Sequence, residues 1–175
     1  FLKKNYNLNS TEIKLIKGAG VNLKKYKFIK NNNSNKILLP ARIIKEKGIE
    51  EFIIASNNLK KKYPDWKFII AGTFDYKKQS LLNINKIMIL NKNKAVEFLG
   101  YVKNMIKIYQ DTAIVCLPSY REGFSRVFQE AAAVGLPIVT TNVIGCKDSI
   151  IPNKTGLIAK VKDHKSLKEK LELLI

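Results

Sequence analysis

The residue types that could do chemistry are concentrated in the segment Pro118 to Glu130. A turn at Gly123 delivers the chain into a helical pattern, so the first backbone amides, near Phe124 to Val127, lack partners within that helix. Such amides form a binding site for anions. Glu122 and Glu130 are eight positions apart, a little over two helical turns, so both carboxylates can face one cleft. Because carboxylates accept hydrogen bonds from hydroxyl groups, the combination suits a sugar joined to a phosphate.

A plainer interpretation of the same two carboxylates is also open. Glu122 could merely complement the helix dipole, and Glu130 could belong to a solvated helix face. The neighbours of Glu130 weigh against this, because Phe128 and the run Ala131 to Val134 are apolar, and an unpaired carboxylate among them would be costly. Spacing alone does not decide between the two interpretations.

The elements that must position these residues follow an α/β pattern, in which short apolar runs alternate with amphipathic runs of helix length. This alternation predicts a Rossmann-like, doubly wound parallel sheet with helices on both faces. The predicted strands are Lys36 to Pro40, Trp66 to Gly72, Ala95 to Leu99, Ala113 to Leu117 and Pro137 to Thr141, with a weaker one at Glu12 to Ile16. The predicted helices are Ile49 to Lys62, Tyr101 to Gln110, Arg126 to Val134 and Asp163 to Ile175, whereas Phe74 to Lys94 is predicted to be a loop.

Polar loops follow the predicted strands at the edge where such sheets bind ligands. Arg42 and Lys47 follow the first strand, Gly100 and Tyr101 follow the third, and Pro118 to Ser125 follows the fourth. Since the carboxyl ends of parallel strands meet at one rim, these loops are expected to converge there.

The composition limits the class of protein. The 175 residues suit one α/β domain, and 46% of them are hydrophobic, enough for a core. No apolar run approaches the ~20 residues that span a bilayer, and the first residues have no signal-peptide pattern. The two cysteines show no metal or redox spacing, which favours a reducing, cytosolic location. A single histidine, in a charged stretch, gives little support to zinc chemistry or a Ser-His-Asp triad.

The formal net charge of +18 has several interpretations. Nucleic acid, an anionic membrane surface and an anionic small ligand would each be attracted to it. The chain is also rich in Lys, Asn and Ile, as an AT-rich genome would encode, so part of the charge could be coding bias without a binding role. Composition does not choose among them.

The segment 118–131, with Gly-Leu-Pro-Ile-Val-Thr-Thr at 135–141, resembles the E-x7-E signature of glycosyltransferase family 4, the retaining GT-B enzymes also called group 1 glycosyl transferases. The resemblance runs from about Gly18 to the end with its order preserved. The sequence Tyr-Arg-Glu-Gly-Phe, together with Gly145 to Asp148, is most similar to the corresponding segments of enzymes that add N-acetylgalactosamine or a related sugar to undecaprenyl-diphosphate-linked glycans. Further matching segments are Gly18 to Asn22, Ala41–Arg42 to Lys47–Gly48, Phe98 to Tyr101 and Lys154 to Leu157.

The resemblance implies roles for four charged side chains. Arg42 and Lys47 would bind the diphosphate of a nucleotide-sugar and stabilise the charge that grows on it as the glycosidic bond breaks. Glu122 would bind the hydroxyls of the transferred sugar, and Glu130 those of the ribose. One departure is Ala41, which stands where the family usually has glycine.

Backbone groups complete the implied site. Amides from Gly123, Phe124 and Ser125 would contact the sugar and phosphate, and main-chain groups of Tyr101 and Val102 would contact the base. No metal or other cofactor is expected, since two cations and a helix terminus would stabilise the leaving group.

The family also implies a larger enzyme with two Rossmann-like domains. Residues 1–35 would be a segment that leads in from an N-terminal domain, and 36–175 would be the donor-binding domain. The N-terminal domain would bind the acceptor, expected to be a lipid-linked glycan, so this chain alone would bind a UDP-sugar weakly and transfer nothing. The expected location is cytoplasmic and peripheral, at the inner face of a bacterial plasma membrane, where the +18 charge would meet anionic lipid.

Two alternatives are kept. A nucleotide-sugar epimerase half would also bind UDP-sugars, but it would not be expected to carry Tyr-Arg-Glu-Gly-Phe followed by Glu130. A basic nucleic-acid-binding domain would explain the charge, yet it gives no reason for Glu122 and Glu130 beside an anion site.

Overall fold

A computed structural model describes residues 18–29, 33–74 and 83–175. Within these ranges six strands form one parallel sheet in the order β3-β2-β1-β4-β5-β6. The strands are β1 Lys36–Pro40, β2 Lys67–Ala71, β3 Val96–Gly100, β4 Ile114–Leu117, β5 Ile138–Thr141 and β6 Gly156–Ala159. The helices are α1 Ile49–Lys62, α2 Ile84–Leu90, α3 Met105–Gln110, α4 Arg126–Val134 and α5 His164–Glu172, with short 3-10 turns at Lys45–Lys47 and Lys147–Ser149.

The sheet confirms the predicted fold class. Strand order runs one way from β1 through β2 to β3 and the other way from β4 to β6, so the direction of winding reverses between β1 and β4. This is the doubly wound, Rossmann-like order, and the reversal opens a crevice at the carboxyl ends of those two strands. The five strands predicted after residue 35 all occur, each within one residue at its ends. The weaker strand predicted at Glu12 to Ile16 lies outside the described residues.

One helix and one strand of the described fold were not predicted from the sequence. The stretch from Phe74 to Lys94 is not only a loop, because α2 lies inside it, capped by Asn83, whose side chain accepts from the Lys86 N–H at 3.2 Å. Only Ile87 of this helix is buried, so the segment carries little of the apolar periodicity that marks longer helices. The strand β6 was also missed, since its four residues begin with a glycine.

The core lies on both faces of the sheet. Ile37, Leu38 and Leu39 of β1 are all 0% exposed, which is the continuous burial expected of a central parallel strand. On one face α1 buries Phe52, whose ring meets Phe68 of β2 edge-on at a centroid distance of 6.4 Å. Each such side chain stabilises the fold by about 1.5–3 kcal/mol relative to an exposed one.

The start of α1 is pressed against the end of β4. Gly48 has a φ of +67°, and a Cβ there would overlap the Pro118 carbonyl, so glycine is required on both counts. The Tyr120 N–H also donates to the Glu46 carbonyl at 2.8 Å. These contacts place the β1–α1 connection beside the β4–α4 loop, at the crevice.

Candidate functional site

The crevice between β1 and β4 holds a cavity of about 520 Å³ at the carboxyl ends of the two strands. Two connections supply its walls, β1–α1 on one side and β4–α4 on the other. The lining residues are Arg42, Ile44, Glu46, Lys47, Arg121, Glu122 and Gly123. The structure thus brings together Arg42, Lys47, Glu122 and Gly123, which the sequence had assigned to one site.

Lys47 and Glu122 form an ion pair across this cavity, between Nζ and Oε2. Their side chains are only 17% and 14% exposed, so solvent screens the pair less than it screens a surface pair. The ammonium group has three donors and the carboxylate about four acceptor positions. The pair therefore retains capacity for a ligand that carries both an anionic group for Lys47 and hydroxyl groups for Glu122.

A second cavity of about 250 Å³ adjoins the first and shares Arg42 with it. Its walls come from the ends of β1, β2 and β3 and from α3 and α4. The lining residues include Ala41, Arg42, Gly72, Thr73, Tyr101, Val102, Met105, Tyr109, Val127 and Glu130. Glu122 and Glu130 therefore line two adjoining cavities, with Arg42 common to both, and not the single cleft that their spacing suggested.

Glu130 is a buried and fully paired carboxylate. It is 8% exposed, Oε2 accepts from the Tyr109 hydroxyl at 3.1 Å, and Oε1 accepts from Arg126 Nε at 3.0 Å. The interpretation that Glu130 belongs to a solvated helix face is wrong. Its partners satisfy the requirement that a buried charge be paired.

The start of α4 has the form expected of an anion site. Ser125 is the N-cap residue and is 5% exposed, and its side chain makes no capping hydrogen bond to the first turn. Gly123 is exposed, and Phe124 is half-buried against Gly18, where a Cβ would lie 2.5 Å from the Phe124 ring. Ser125 thus leaves the first-turn amides of a nine-residue helix without a side-chain cap, and Gly123, two residues before Ser125, lines the larger cavity.

Gly145 supports this loop from behind. Its φ is +86°, and a Cβ would overlap the carbonyl oxygens of Glu122 and Gly123. The Gly145 carbonyl in turn accepts from the Ser149 hydroxyl. The connection from β5 to β6 therefore packs directly against the backbone of Glu122 and Gly123, and only glycine fits at position 145.

Tyr101 and Val102 lie in the connection between β3 and α3. The predicted helix from Tyr101 begins instead at Met105, because Gly100 turns the chain with a φ of +66° and Asn104 takes the N-cap position. The Tyr101 side chain is 79% exposed, and Val102 is half-buried. Both residues line the smaller cavity with backbone that is outside a helix, as main-chain contacts to a ligand would require.

The sequence did not single out Tyr109 or Glu46. Tyr109 is 0% exposed and was one apolar position in a helical pattern, so nothing in the spacing indicated its contact with Glu130. Glu46 lies between Lys45 and Lys47 in a basic stretch, where a solvated role was the natural expectation. It lines the larger cavity, and its Oε2 is buried with no hydrogen-bond partner.

The described residues contain neither a metal-binding cluster nor a membrane-spanning helix. Residues 18–29, 33–74 and 83–175 contain no group of three or more His, Cys, Asp or Glu side chains that could hold a metal ion. No helix in those ranges is long and apolar enough to cross a membrane.

The fold and the cavities define a Rossmann-like domain with a cationic side chain, Arg42, shared by two carboxylate-lined cavities at the carboxyl ends of its strands. The sequence profile of the family described as glycosyl transferases group 1 matches residues 22–175. The chain belongs to this family.

Curated relatives agree with this assignment. The chain is 34% identical over 186 residues to N,N'-diacetylbacillosaminyl-diphospho-undecaprenol alpha-1,3-N-acetylgalactosaminyltransferase of Campylobacter jejuni, covering 98% of this chain and 47% of the relative. It is 32% identical over 134 residues to the capsular polysaccharide biosynthesis glycosyltransferase CapM of Staphylococcus aureus, covering 77% and 35%. The chain thus matches less than half the length of each of these two relatives.

Solved structures share the fold. The C-terminal domain of a glycosyl transferase group 1 family protein, LpcC from Francisella tularensis, superposes with a TM-score of 0.76 at 25% identity, covering 89% of this chain and 87% of that domain. A glycosyltransferase from Rickettsia africae gives 0.78 at 21% identity, covering 99% and 49%. HepE from Anabaena, in complex with UDP and glucose, gives 0.75 at 18% identity, covering 88% and 45%.

Proposed function

We propose that this chain is the nucleotide-sugar-binding, C-terminal half of a retaining GT-B glycosyltransferase that builds a bacterial surface polysaccharide or lipid-linked glycan. The main support for the proposal is the position of Arg42, which lines both cavities. Glu122 lines the larger cavity and Glu130 lines the smaller one. A nucleotide-sugar has a matching order of chemical groups: the hydroxyl-bearing sugar and the hydroxyl-bearing ribose are joined through an anionic diphosphate, as the two carboxylate-lined cavities are joined at a cation. Family membership and the names of the two relatives support the class of reaction.

Each chemical group of a nucleotide-sugar matches the residues of one part of the site. The diphosphate lies at Arg42 and Lys47, close to the amides at the start of α4, because cations and a helix terminus both attract phosphate. The sugar occupies the larger cavity beside Glu122, and the ribose occupies the smaller one beside Glu130. The base then lies along the main chain of Tyr101 and Val102. A UDP-sugar is the proposed donor, supported by the UDP complex of the structurally similar HepE.

In the complete enzyme, the acceptor hydroxyl attacks the anomeric carbon on the face that the diphosphate leaves, so the configuration is retained. The bond to the diphosphate breaks as the new glycosidic bond forms, and a donor phosphate oxygen takes the hydroxyl proton. Arg42, Lys47 and the α4 amides stabilise the charge that develops on the leaving diphosphate. We propose that these groups suffice without a metal. UDP affinity unchanged by excess EDTA is the expected result, and loss of binding restored by Mg²⁺ would reject this point.

An acceptor-binding N-terminal domain is part of the proposal. The superposition on an isolated C-terminal domain of a family member, of which this chain covers 87%, supports the assignment as one half. The same holds for the 35% and 47% coverage of the two curated relatives. We expect the chain alone to bind UDP-sugars weakly and to transfer no sugar; measurable transfer to a lipid-linked glycan by the chain alone would overturn this.

A peripheral location at the cytoplasmic face of the plasma membrane is the proposed site of action. The +18 formal charge favours contact with anionic lipid, and the name of the Campylobacter relative describes an undecaprenol-linked substrate. Sedimentation with vesicles tests it. Binding to vesicles that contain anionic phospholipid and not to neutral ones is expected, and equal sedimentation with both or with neither would reject it.

Titrations with UDP, UDP-sugars and short duplex DNA at two salt concentrations test the binding function. Saturable UDP binding is expected, with DNA binding that weakens steeply as salt increases and does not compete with UDP. Tight DNA binding without any UDP binding would overturn the transferase proposal in favour of a nucleic-acid-binding domain. Family membership already sets the epimerase alternative aside.

A further inference from the structure

Tyr109 of α3 contacts Glu130 from the interior of the domain. Its side chain is 0% exposed, and its hydroxyl donates to Glu130 Oε2 at 3.1 Å. We infer that Tyr109 is a positioning residue for Glu130, holding one carboxylate oxygen so that the other is presented to ribose hydroxyls in the smaller cavity. The inference rests on the proposed function, which gives Glu130 the ribose.

The two oxygens of Glu130 have unequal partners. Oε2 is held by Tyr109, which cannot reach solvent, and Oε1 is held by Arg126, whose side chain is 75% exposed. The Arg126 guanidinium is largely exposed, so it stays solvated when it turns away from Glu130, whereas the buried Oε1 that it leaves must accept a hydrogen bond from another donor. A ligand hydroxyl can therefore replace Arg126 at Oε1, while Tyr109 keeps its place at Oε2.

The Tyr109 ring has little freedom to leave this position. It packs against Tyr26, with ring centroids 6.2 Å apart and planes inclined by 60°, and it forms part of the wall of the smaller cavity. Burial, together with the nearby Glu130 carboxylate, raises the pKa of Tyr109 above its usual value. The hydroxyl therefore stays protonated and remains a hydrogen-bond donor across the pH range in which the protein works.

Glu130 needs such a constraint because the terminal torsion of a glutamate side chain is broad. Without the Tyr109 hydroxyl, the carboxylate could rotate so that Arg126 engages both oxygens in the bidentate geometry that guanidinium groups favour. A ribose would then have to displace two charge-assisted hydrogen bonds instead of one. Tyr109 prevents this by occupying Oε2 with a neutral donor. Tyr26 interacts with the same carboxylate, since burial and a hydrogen bond to Glu130 raise the pKa of Tyr26, but Tyr109 is the partner that is fully buried.

The test compares UDP with 2′,3′-dideoxy-UDP by calorimetry on the 175-residue chain and its Tyr109→Phe variant. The variant keeps the ring and removes only the hydroxyl. We expect its affinity for UDP to fall about tenfold, within the range for one hydrogen bond to a charged group, while its affinity for the dideoxy ligand is unchanged. Tyr63→Phe is the matched control, since the Tyr63 hydroxyl also donates to a glutamate, Glu172, at 3.2 Å and away from both cavities.

The outcomes separate the inference from the proposed function. Wild-type chain that binds UDP and the dideoxy ligand equally, or binds neither, overturns the ribose role of Glu130 and with it the proposed donor site. Wild-type chain that prefers UDP, with the same preference retained in Tyr109→Phe, overturns only the inference. An equal loss of affinity for both ligands also overturns it, because a merely structural role would act on both.

A second measurement requires no variant. The hydroxyl proton of a buried, hydrogen-bonded tyrosine exchanges slowly enough to be observed by NMR, and the inference requires the Tyr109–Glu130 hydrogen bond to persist in the complex. We expect the Tyr109 hydroxyl resonance to remain when UDP is bound. Its disappearance on adding UDP would overturn the inference even if Tyr109→Phe failed to fold.

Discussion

At the scale of single residues, Arg42 and Lys47 carry the diphosphate part of the proposal. Replacing either with glutamine removes a cation from the larger cavity, so the affinity for UDP is expected to fall at least about tenfold, while the weak affinity for uridine stays the same. Calorimetry with both ligands measures this. Lys61→Gln, an exposed lysine at the end of α1, is the control and is expected to behave as wild type. Equal losses for UDP and uridine would show that the cations do not act on phosphate.

Glu130 gives a second residue-scale prediction with two readouts. Glu130→Ala removes the proposed ribose acceptor and leaves the buried Tyr109 hydroxyl without its partner. UDP binding is expected to be lost, and the free energy of unfolding to fall by about 1–3 kcal/mol, as for a buried polar group left unpaired. Glu169→Ala, an exposed glutamate of α5, is the control for both. A variant that unfolds more easily but binds UDP with wild-type affinity would restrict Glu130 to a structural role.

The charged residues of the candidate site were predicted from the sequence, whereas the buried tyrosine that holds Glu130 was not. Arg42, Lys47 and Glu122 lie in connections that follow strands, and Glu130 lies in the helix after β4. The types of these residues suit a phosphorylated sugar, and the family resemblance assigned their separate roles. Tyr109 is 21 positions from its partner Glu130, and the contact exists only because α3 and α4 pack side by side. No local pattern encodes a contact of this kind.

At the scale of elements, the sequence predicted the strands and helices that bury many side chains, and it did not predict the helix that buries only one. The central strand β4 is apolar and buried over its whole length, β1 is so after its first residue, Lys36, and α1 has a buried stripe with a clear helical period. The helix α2 buries one side chain and is flanked by Lys and Asn, so its helical state depends on the Asn83 cap and on contacts with α1. Arg42 lines two cavities because the ends of β1, β2 and β3 and the β4–α4 connection lie at one rim of the sheet, and residue spacing does not show which of these share a cavity.

The β5–β6 connection is predicted to control the sugar side of the site through Gly145. Gly145→Ala places a Cβ against the carbonyl oxygens of Glu122 and Gly123, at a φ of +86° that favours glycine. The β4–α4 loop must move to relieve this overlap. The expected result is a lower affinity for UDP-sugar and a thermal midpoint reduced by several degrees. Gly20→Ala is the comparison, since its φ of +75° is similar but a Cβ there has no neighbour within 4 Å. Equal effects at both positions would mean that backbone strain alone accounts for the loss.

The last helix, α5, provides an element-scale prediction about pH. The Asp163 side chain accepts from the N–H groups of Lys165 and Ser166, both at 2.9 Å, and these hydrogen bonds, the one from Ser166 foremost, hold the pKa of Asp163 below its usual value of 3.8. A carboxylate with a lowered pKa stabilises the fold above its unfolded-state pKa and loses that effect as the pH falls through its folded-state value.

Asp163→Ala is therefore expected to lower the thermal midpoint by on the order of 2–4 °C, as loss of a cap does in a domain of this size. The difference between variant and wild type should be constant from pH 7 to pH 5 and should narrow only below about pH 4. Thermal melts followed by circular dichroism across this range measure it. A difference that narrows between pH 7 and pH 5 would assign the effect to another group.

At the scale of the whole molecule, the domain has its own hydrophobic core, and the candidate site lies at one rim of its sheet. The larger cavity lies where the winding of the sheet reverses, between the connections that follow β1 and β4, and the smaller one adjoins it at the ends of β1, β2 and β3. The large positive charge is spread over the chain, so its general attraction for anions and the specific binding of a nucleotide diphosphate are separable by salt. Binding that depends on the two cavities lined by Glu122 and Glu130 is the specific kind, which salt weakens less.

The most direct test of the central claim is an NMR titration of the isotopically labelled chain with UDP, in which each backbone amide reports its own surroundings. We expect the largest shifts at Arg42, at Gly123 to Ser125 and at Tyr101 and Val102, and little change at the opposite, amino-terminal edge of the sheet around Lys67 and Asp111. Shifts confined to that opposite edge, or a uniform small response from lysine-rich surfaces that salt abolishes, would contradict it.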